Sequence, residues 1–370
     1  MRIAERGPRR DEVKILGIET SCDETAAAVV AETGDAARPW RILSSVVASQ
    51  VEIHREWGGV VPELSARQHI RDICGVVERA LADAGAGPEG YDAVAVTQGP
   101  GLVGSLLVGV AFAKSLAWTR GVPLVPVHHL AGHIESLVLE NGEMPMPAVV
   151  LVVSGGHTSL YRVATPGAYE PLGRTRDDAA GEAYDKVAKL LGLGYPGGPI
   201  VDRLAREGDE RAVPFPKTRL THADRNAPHL PGTRDFSFSG LKTSVLRHVT
   251  ARREALGLTS GDPLPAPEIA GICASFQRVV VETLLDRLFE TAAWSHARSV
   301  GIAGGVSANS RLRAEAATRA ARRELPIFIP GLALSTDNAA MIAAAGLRRY
   351  RQGTTADWSL NASASLALST

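Results

Sequence analysis

The sequence predicts an α/β protein built from two related lobes. With 370 residues the chain is long enough for about two domains, each with its own buried core. Two segments, 14–31 and 148–164, repeat one pattern about 130 residues apart: an apolar strand, a turn of small polar residues and a second apolar strand. Apolar periodicity predicts helices between and after these hairpins, at about 62–83, 102–120, 181–191, 266–296 and 338–351.

Composition favours a soluble protein of a reducing compartment. Forty Lys and Arg side chains balance forty Asp and Glu side chains, so a nucleic-acid partner would need a local basic patch. The three cysteines are far apart and include no CxxC pair, which argues against a disulfide framework and a thiolate metal site. No apolar signal-type segment follows the N-terminal charges, and the uncharged run 93–112 is broken by Pro100 and four glycines. We therefore expect a cytoplasmic protein with no membrane partner.

Three glycine-containing turns predict a nucleotide between the two lobes. The first hairpin turns at 17–25, the second at 154–158, and a third cluster, 301–309, opens the basic helix 310–323. Backbone amides in such turns can point at an anion, and a helix N-terminus adds partial positive charge. The alternative for any single loop is that its glycines only shape a tight turn.

The order of these elements predicts the lobe boundaries. We assign 14–130 to an N-terminal lobe, joined by a returning C-terminal helix at 338–351, and 131–337 to a C-terminal lobe. Residues 206–265 are rich in Pro, Arg, His and Asp and have weak periodicity, which predicts an irregular insertion. The remaining segments are expected to be flexible tails, 1–13 and 352–370.

The segment 128–133 carries two histidines four residues apart. If it is helical, His129 and His133 project from one face, one turn apart, a spacing that can hold a single transition-metal ion. The outline is that of the zincin helix His-Glu-x-x-His, in which the glutamate is the general base. Here Leu130 occupies the glutamate position and His128 has no partner four residues on. The pair therefore predicts metal chemistry other than proteolysis, whereas a lone histidine would be read as a buried core residue.

About a dozen short motifs follow one another in a defined order. They are 18–25, His54, 58–63, Arg67, His69, 98–101, 128–133, 154–158, 177–186, 195–199, 236–243, 304–309 and 335–338. In this order the sequence closely resembles the tRNA adenosine threonylcarbamoyltransferase family (TsaD), once described as glycoproteases, over about 14–347. The resemblance implies an actin-like, sugar-kinase-like ATPase fold with two lobes and a central cleft. It also implies transfer of threonylcarbamoyl from threonylcarbamoyl-AMP to N6 of the adenosine next to the anticodon, in tRNAs reading codons that begin with A.

The resemblance adds a third metal ligand to the histidine pair. It points to Asp337, some 200 residues away in sequence, so that one divalent ion, Fe²⁺ or Zn²⁺, would tie the lobes together at the cleft. This suits the reaction, because an adenine amine is a poor nucleophile and a Lewis acid would activate the electrophile. Taken alone, Asp337 would instead be the N-cap of the helix that begins at 338.

The resemblance also implies contacts to an adenine nucleotide, threonylcarbamoyl-AMP or ATP, in the cleft. A carboxylate suits the ribose because it accepts two hydrogen bonds from a diol. The alternative for Asp185 is a helix-surface salt bridge with Lys189. Glu19 and Asp23 lie on the first hairpin tip, where an actin-like fold would hold metal and phosphate, and no role is assigned to them. The implied substrate-binding residues are Val152, Val153, Ser154, Gly155, Gly156, Asp185, Gly198, Asp202 and Asn309.

The macromolecular partner that the resemblance implies is tRNA, with accessory proteins of the TsaB-like and TsaE-like kinds. Candidate contact surfaces are basic, although such runs are more often solvated faces. Three other classes remain open from the residues: a small-molecule kinase or ATPase of the same fold, a metalloprotease, and a non-catalytic scaffold subunit. The basic candidates are Arg311, Arg313, Arg319, Arg322, Arg323, Lys217, Arg219, Arg225 and Lys242.

Overall fold

The structure is a computed structural model that describes residues 12–220, 234–259 and 261–368. Its strands are β1 (Lys14–Glu19), β2 (Glu24–Glu32), β3 (Trp40–Ser49), β4 (Ala93–Gly99), β5 (Leu124–His128), β6 (Ala148–Val153), β7 (Thr158–Val163), β8 (Tyr169–Arg174), β9 (Ser299–Ala303) and β10 (Ile327–Phe328). Its helices are α1 (Val51–Arg55), α2 (Pro62–Asp83), α3 (Val103–Arg120), α4 (His129–Asn141), α5 (Ala180–Leu190), α6 (Gly197–Ala205), α7 (Ser239–Ala255), α8 (Ala266–Trp294), α9 (Ser310–Ala321), α10 (Leu332–Ser335) and α11 (Ala339–Arg351). Within those ranges, no helix combines the length and the apolar character needed to cross a membrane.

The strands form two five-stranded sheets with the same connectivity. The first sheet has the order β3-β2-β1-β4-β5, and the second has the order β10-β9-β6-β7-β8. Strand β1 pairs antiparallel with β2 and parallel with β4, just as β6 pairs antiparallel with β7 and parallel with β9. The predicted duplication is therefore confirmed. The predicted α/β class with two related halves is confirmed as well.

Helix α11 packs directly on the central strand of the first sheet because both surfaces carry small residues. A Cβ atom added to Gly17 in β1 would lie 2.5 Å from the backbone oxygen of Ala339 and 2.7 Å from the backbone nitrogen of Ala343. The alanine-rich helix is buried from Ala339 to Leu347. This close approach places the N-terminus of α11, and the residues just before it, beside the carboxyl end of β1.

Packing divides the chain into two compact units. Unit 1 comprises Met1–Met144, Pro166–Ala168 and Pro330–Thr370, and unit 2 comprises Pro145–Thr165 and Tyr169–Ile329. The predicted boundary at 130 differs from this division, because it would cut helix α4. That helix is buried without a break from His129 to Val138 and packs on α11 within unit 1.

The C-terminal segment is packed within unit 1 as far as Leu366, in contrast to the flexible tail expected for 352–370. Ala356 forms a bridge with Leu124 of β5, and the Ser363 amide donates to the Gln98 carbonyl at 2.9 Å. The Trp358 ring stands edge-on to Trp118, with ring centroids 5.1 Å apart. Of the other expected tail, 1–13, residues 1–11 lie outside the described part of the chain.

The predicted irregular insertion, 206–265, contains one long helix that the sequence pattern concealed. Helix α7 buries only Leu241, Val245 and Val249, and its remaining surface is mostly polar and basic, with Leu246 exposed. Such a helix has a weak apolar period, so composition alone favoured a loop. The stretch 209–220 carries neither helix nor strand, and 221–233, with Arg225, lies outside the described residues.

Candidate metal centre and glycine loops

The first histidine of the motif stabilises the start of helix α4. His128 ends β5 and is the N-cap residue, with its Nδ1 accepting a hydrogen bond from the Leu130 amide at 3.1 Å. Its Nε2 lies 3.1 Å from the Leu366 carbonyl oxygen, to which it donates. Burial disfavours the cation and lowers the pKa of His128 to about 4. Both ring nitrogens therefore have structural partners, and His128 is not a metal ligand here.

The second and third histidines face one aspartate. The His129 and His133 rings lie on one side of α4 with centroids 4.7 Å apart. Their Nε2 atoms lie 3.6 Å and 3.1 Å from Asp337 Oδ1. One possible ligand atom from each of the three residues lies within 4.8 Å of the other two. Within the described ranges, no other group of three or more His, Cys, Asp or Glu residues is arranged in this way.

The donor set fits a metal ion because it leaves buried nitrogen atoms unsatisfied. His133 is fully buried, and neither of its ring nitrogens has hydrogen-bonding geometry to any described group. Its Nε2 lies 3.1 Å from Asp337 Oδ1 without hydrogen-bonding geometry. A buried polar atom without a partner is costly, and coordination would remove that cost.

Asp337 is not the cap of the following helix. Asn338 takes that role, since its side-chain oxygen accepts from the Met341 amide at 3.0 Å. The alternative that Asp337 is the N-cap is thus wrong, because the cap is the next residue, Asn338. The expectation that Asp337 would join the lobes is also wrong, because all three candidate ligands belong to unit 1.

Charges around the centre control its protonation. Burial opposes the His129 cation, but the carboxylates of Asp337 and Glu19 outweigh it and raise the pKa of His129 to about 9. Burial likewise opposes ionisation of Glu19, yet His129 lowers the pKa of that carboxyl. For Glu24, burial and then the charges of Asp337 and Asp23 raise the pKa well above its usual value. The site therefore balances its acidic groups with a proton on His129, which a divalent ion would replace.

In unit 2, glycines bring the second hairpin tip against a helix N-terminus. Val152 and Val153 are fully buried at the end of β6, and the residues after them form the tip. A Cβ atom on Gly181 would lie 2.6 Å from the Ser154 carbonyl oxygen, and the Gly181 amide donates to that oxygen at 3.1 Å. A Cβ atom on Gly304 would lie 2.5 Å from the Val153 oxygen. Gly155 and Gly156 are exposed, with open space beside them.

The predicted nucleotide contacts in unit 2 are joined by a residue that sequence reasoning missed. Gln277, buried in α8, donates to Asp202 Oδ1 at 3.1 Å and accepts from Asn309 Nδ2 at 2.8 Å. Asn309 Oδ1 caps α9 by accepting from the Leu312 amide at 2.9 Å. A glutamine among the mostly apolar residues 272–281, which also include Ser275 and Arg278, was the available signal.

Asp185 lies beside the Gly-Gly-Pro turn that opens α6. Its Oδ1 accepts a hydrogen bond from the Gly197 amide at 2.7 Å. The next residue, Gly198, has open space where a Cβ would be. The turn and the carboxylate therefore form one local structure, with α5 and α6 packed together.

Most of the basic side chains singled out for tRNA have acidic partners. Lys242 pairs with Asp178 at 2.8 Å, and Arg319 pairs with Asp286 at 2.6 Å. Such pairing weakens the case for these residues as phosphate contacts. The other basic candidates with a carboxylate partner are Arg311 with Glu210, Lys217 with Asp286, and Arg219 with Glu290.

Two related α/β units, with a histidine–aspartate cluster in one of them, define a duplicated α/β protein with a candidate metal centre. Residues 41–344 match the family model described as TsaD, tRNA N6-adenosine threonylcarbamoyltransferase. A relative of that name from Anaeromyxobacter dehalogenans (strain 2CP-C) is 53% identical over 94% of this chain and 98% of its own. The Moorella thermoacetica relative is 48% identical over 96% of this chain and 98% of its own.

The chain therefore belongs to the tRNA N6-adenosine threonylcarbamoyltransferase family, and it is a transferase that modifies adenosine in tRNA. The predicted family resemblance is confirmed. Among solved structures, the ROK hexokinase of Thermus thermophilus aligns with 92% of this chain and 99% of its own, at 17% identity and a TM-score of 0.47.

Proposed function

We propose that the chain transfers threonylcarbamoyl from threonylcarbamoyl-AMP to N6 of the adenosine next to the anticodon, in tRNAs reading codons that begin with A. We further propose that His129, His133 and Asp337 hold one divalent ion, Fe²⁺ or Zn²⁺. The observation that carries the metal assignment is the pair of unsatisfied nitrogens of fully buried His133, one of them facing Asp337. Two imidazoles and a carboxylate suit either ion and leave coordination positions open.

The reaction needs activation of the donor. The N6 nitrogen forms a bond to the carbamoyl carbon, the bond from that carbon to the phosphate oxygen breaks, AMP leaves with the electron pair, and N6 loses a proton. A bound divalent ion would supply Lewis-acid polarisation of the donor. The residues of this chain hold the ion, and Leu130, which is buried where a metalloprotease carries its base, leaves no carboxylate there to activate water for proteolysis.

For the donor nucleotide we propose unit 2. The exposed Gly155 and Gly156 can present backbone amides to phosphate, and Asp185 beside Gly198 is placed to accept hydrogen bonds from ribose hydroxyls. Gln277 holds Asp202 and Asn309 by hydrogen bonds, so these two side chains would line the nucleotide site in fixed positions. Val152, Val153 and Ser154 would set the position of this loop.

The partners we propose are those of the family. They are tRNA and accessory proteins of the TsaB-like and TsaE-like kinds, in the cytoplasm. The three cysteines are free thiols in the structure, in keeping with a reducing compartment.

Reconstitution tests this function. The protein is incubated with unmodified tRNA, enzymatically supplied threonylcarbamoyl-AMP and the accessory proteins, and threonylcarbamoyladenosine is measured. We expect product with the wild type, and a loss of about 100-fold or more with His133→Ala or Asp337→Ala. The matched control is His128→Asn, which keeps a side chain able to cap α4 and should retain most of the activity.

Two results would contradict the proposal. One is the absence of threonylcarbamoyladenosine in the complete wild-type reaction. The other is phosphorylation of a small molecule at enzyme-like rates that His129→Ala leaves unchanged, which would instead support the kinase alternative. Product formation undiminished by both His133→Ala and Asp337→Ala would contradict the metal assignment separately, and would favour the non-catalytic scaffold alternative.

A further inference from the structure

A fully buried carboxylate lies behind His129, on the side away from Asp337. Glu19 is the last residue of β1 and has no exposed surface. Its Oε2 lies 3.1 Å from His129 Nδ1 and accepts a hydrogen bond from the Thr97 hydroxyl at 2.7 Å. Its Oε1 accepts from the Ser21 amide. Thr97 and Ser21 thus hold the Glu19 carboxylate in place, while Oε2 also faces the imidazole.

This contact determines which nitrogen of His129 carries the proton. A carboxylate oxygen at hydrogen-bond distance accepts from Nδ1–H, so in the neutral ring the lone pair is on Nε2. Nε2 is the nitrogen that faces Asp337, at 3.6 Å. The Ser21 hydroxyl also lies close to this nitrogen, 3.2 Å from Nδ1.

We propose that Glu19 is a positioning residue, which orients His129 and fixes the tautomer that binds the metal ion. This inference rests on the proposed metal site. A carboxylate behind a ligating imidazole holds the ring in place and increases the basicity of the nitrogen that binds the metal. His133 has no such support, because neither of its nitrogens is hydrogen-bonded. The two histidines therefore differ: one is held by the first hairpin, and the other is placed by its position in α4.

The surroundings argue against a role for Glu19 as a ligand. Each of its oxygens already accepts a hydrogen bond from Thr97 or Ser21, and the ligand cluster forms from His129, His133 and Asp337 without it. A purely structural role, namely holding the Ser21 amide, would predict lower stability but unchanged metal affinity. The two roles can therefore be separated by experiment.

The test compares metal affinity among single variants of the full-length protein. Zn²⁺ affinity is measured by chelator competition, and Co²⁺ is used as a spectroscopic probe of the coordination geometry. For Glu19→Gln we expect about a 10- to 100-fold loss of Zn²⁺ affinity and an altered Co²⁺ spectrum. Ser21→Ala, the matched control on the same side of His129, removes the second polar neighbour and should change the affinity by less than about threefold.

A second measurement, the tautomer of the His129 ring, needs no bound metal ion. In the metal-free wild type at a pH above about 9.5, ¹⁵N NMR should show the proton of the His129 ring on Nδ1, whereas Glu19→Gln should show a mixture of tautomers. If Glu19→Gln does not fold, Thr97→Val, which removes one hydrogen bond to the same carboxylate oxygen, replaces it. That variant should lower the affinity by about two- to tenfold.

The outcomes distinguish this inference from the metal site itself. Wild-type affinity in Glu19→Gln, together with lost affinity in His133→Ala, would overturn the positioning role and leave the metal site in place. Stoichiometric binding that neither variant changes, or no binding by the wild type, would overturn both. Loss in both variants, with the tautomer change confined to Glu19→Gln, supports the inference.

Discussion

Three histidines of one short motif have three different environments. His128 caps α4, His129 is held by Glu19, and His133 has two unsatisfied nitrogens. The sequence identified His129 and His133 as a pair through their spacing, and separated His128 from them. The role of Glu19 could not be read in the same way, because 110 residues separate it from His129. Gln277, 32 residues from Asn309, was missed for the same reason.

Metal affinity should rise with pH. His129 has a pKa of about 9 in the folded metal-free protein against an ordinary value of 6.5, so its proton must leave before an ion binds. Between about pH 6.5 and 8.5 we expect about tenfold tighter Zn²⁺ binding per pH unit, one proton being released. Chelator competition at several pH values, with buffers that do not bind zinc, measures this slope.

The same proton affects the stability of the metal-free protein in the opposite sense. Because the pKa of His129 is raised in the folded state, its protonation adds to the free energy of unfolding. This stabilising contribution is fully present below about pH 6.5 and is lost as the pH rises through about 9. A zinc affinity that does not vary over this interval, or metal-free protein that becomes more stable across it, would contradict the protonated state assigned to His129.

Close packing of α11 on β1 is what brings Asp337 to the histidines. The helix and the strand are far apart in sequence, and Gly17 lets their backbones approach. Helices α2 and α11 could be predicted from their apolar periods, and α8 from its length and largely apolar composition. Helix α7 could not, because only three of its side chains are buried. The packed segment 352–366 could not either, since it is held by hydrogen bonds and a ring contact to residues far away in the sequence.

Gly17→Ala should destabilise unit 1. The added Cβ would meet backbone atoms of α11 at 2.5 Å and 2.7 Å, and backbone cannot move aside as a flexible side chain can. We expect a loss of about 1–3 kcal/mol in the free energy of unfolding, measured by urea denaturation.

The matched control for this packing is Gly75→Ala. Gly75 lies on the exposed face of α2 with nothing near its added Cβ, so alanine should be neutral or stabilising by up to about 1 kcal/mol. Equal effects of the two substitutions would show that α11 is not in close contact with β1.

The described chain is a duplicated structure whose two halves carry different candidate sites. The two sheets share one strand order, yet the candidate ligands lie in unit 1 and the glycine loops proposed for the nucleotide lie in unit 2. The repeated hairpins predicted the duplication because each is an unbroken local pattern. The lobe boundary depends on which elements pack together, which the local pattern does not encode. The family resemblance supplied Asp337, since an aspartate just before a helix otherwise suggests a cap.

Metal stoichiometry tests most directly whether His129, His133 and Asp337 form the metal site. Protein purified without oxygen is analysed for bound metal, and the metal-free form is titrated with Fe²⁺ and with Zn²⁺. We predict one ion per chain in the wild type and in His128→Asn, and a large loss of binding in His129→Ala, His133→Ala and Asp337→Ala. An ion retained at wild-type affinity in all three alanine variants, or no ion bound by the wild type under either condition, would contradict the assignment.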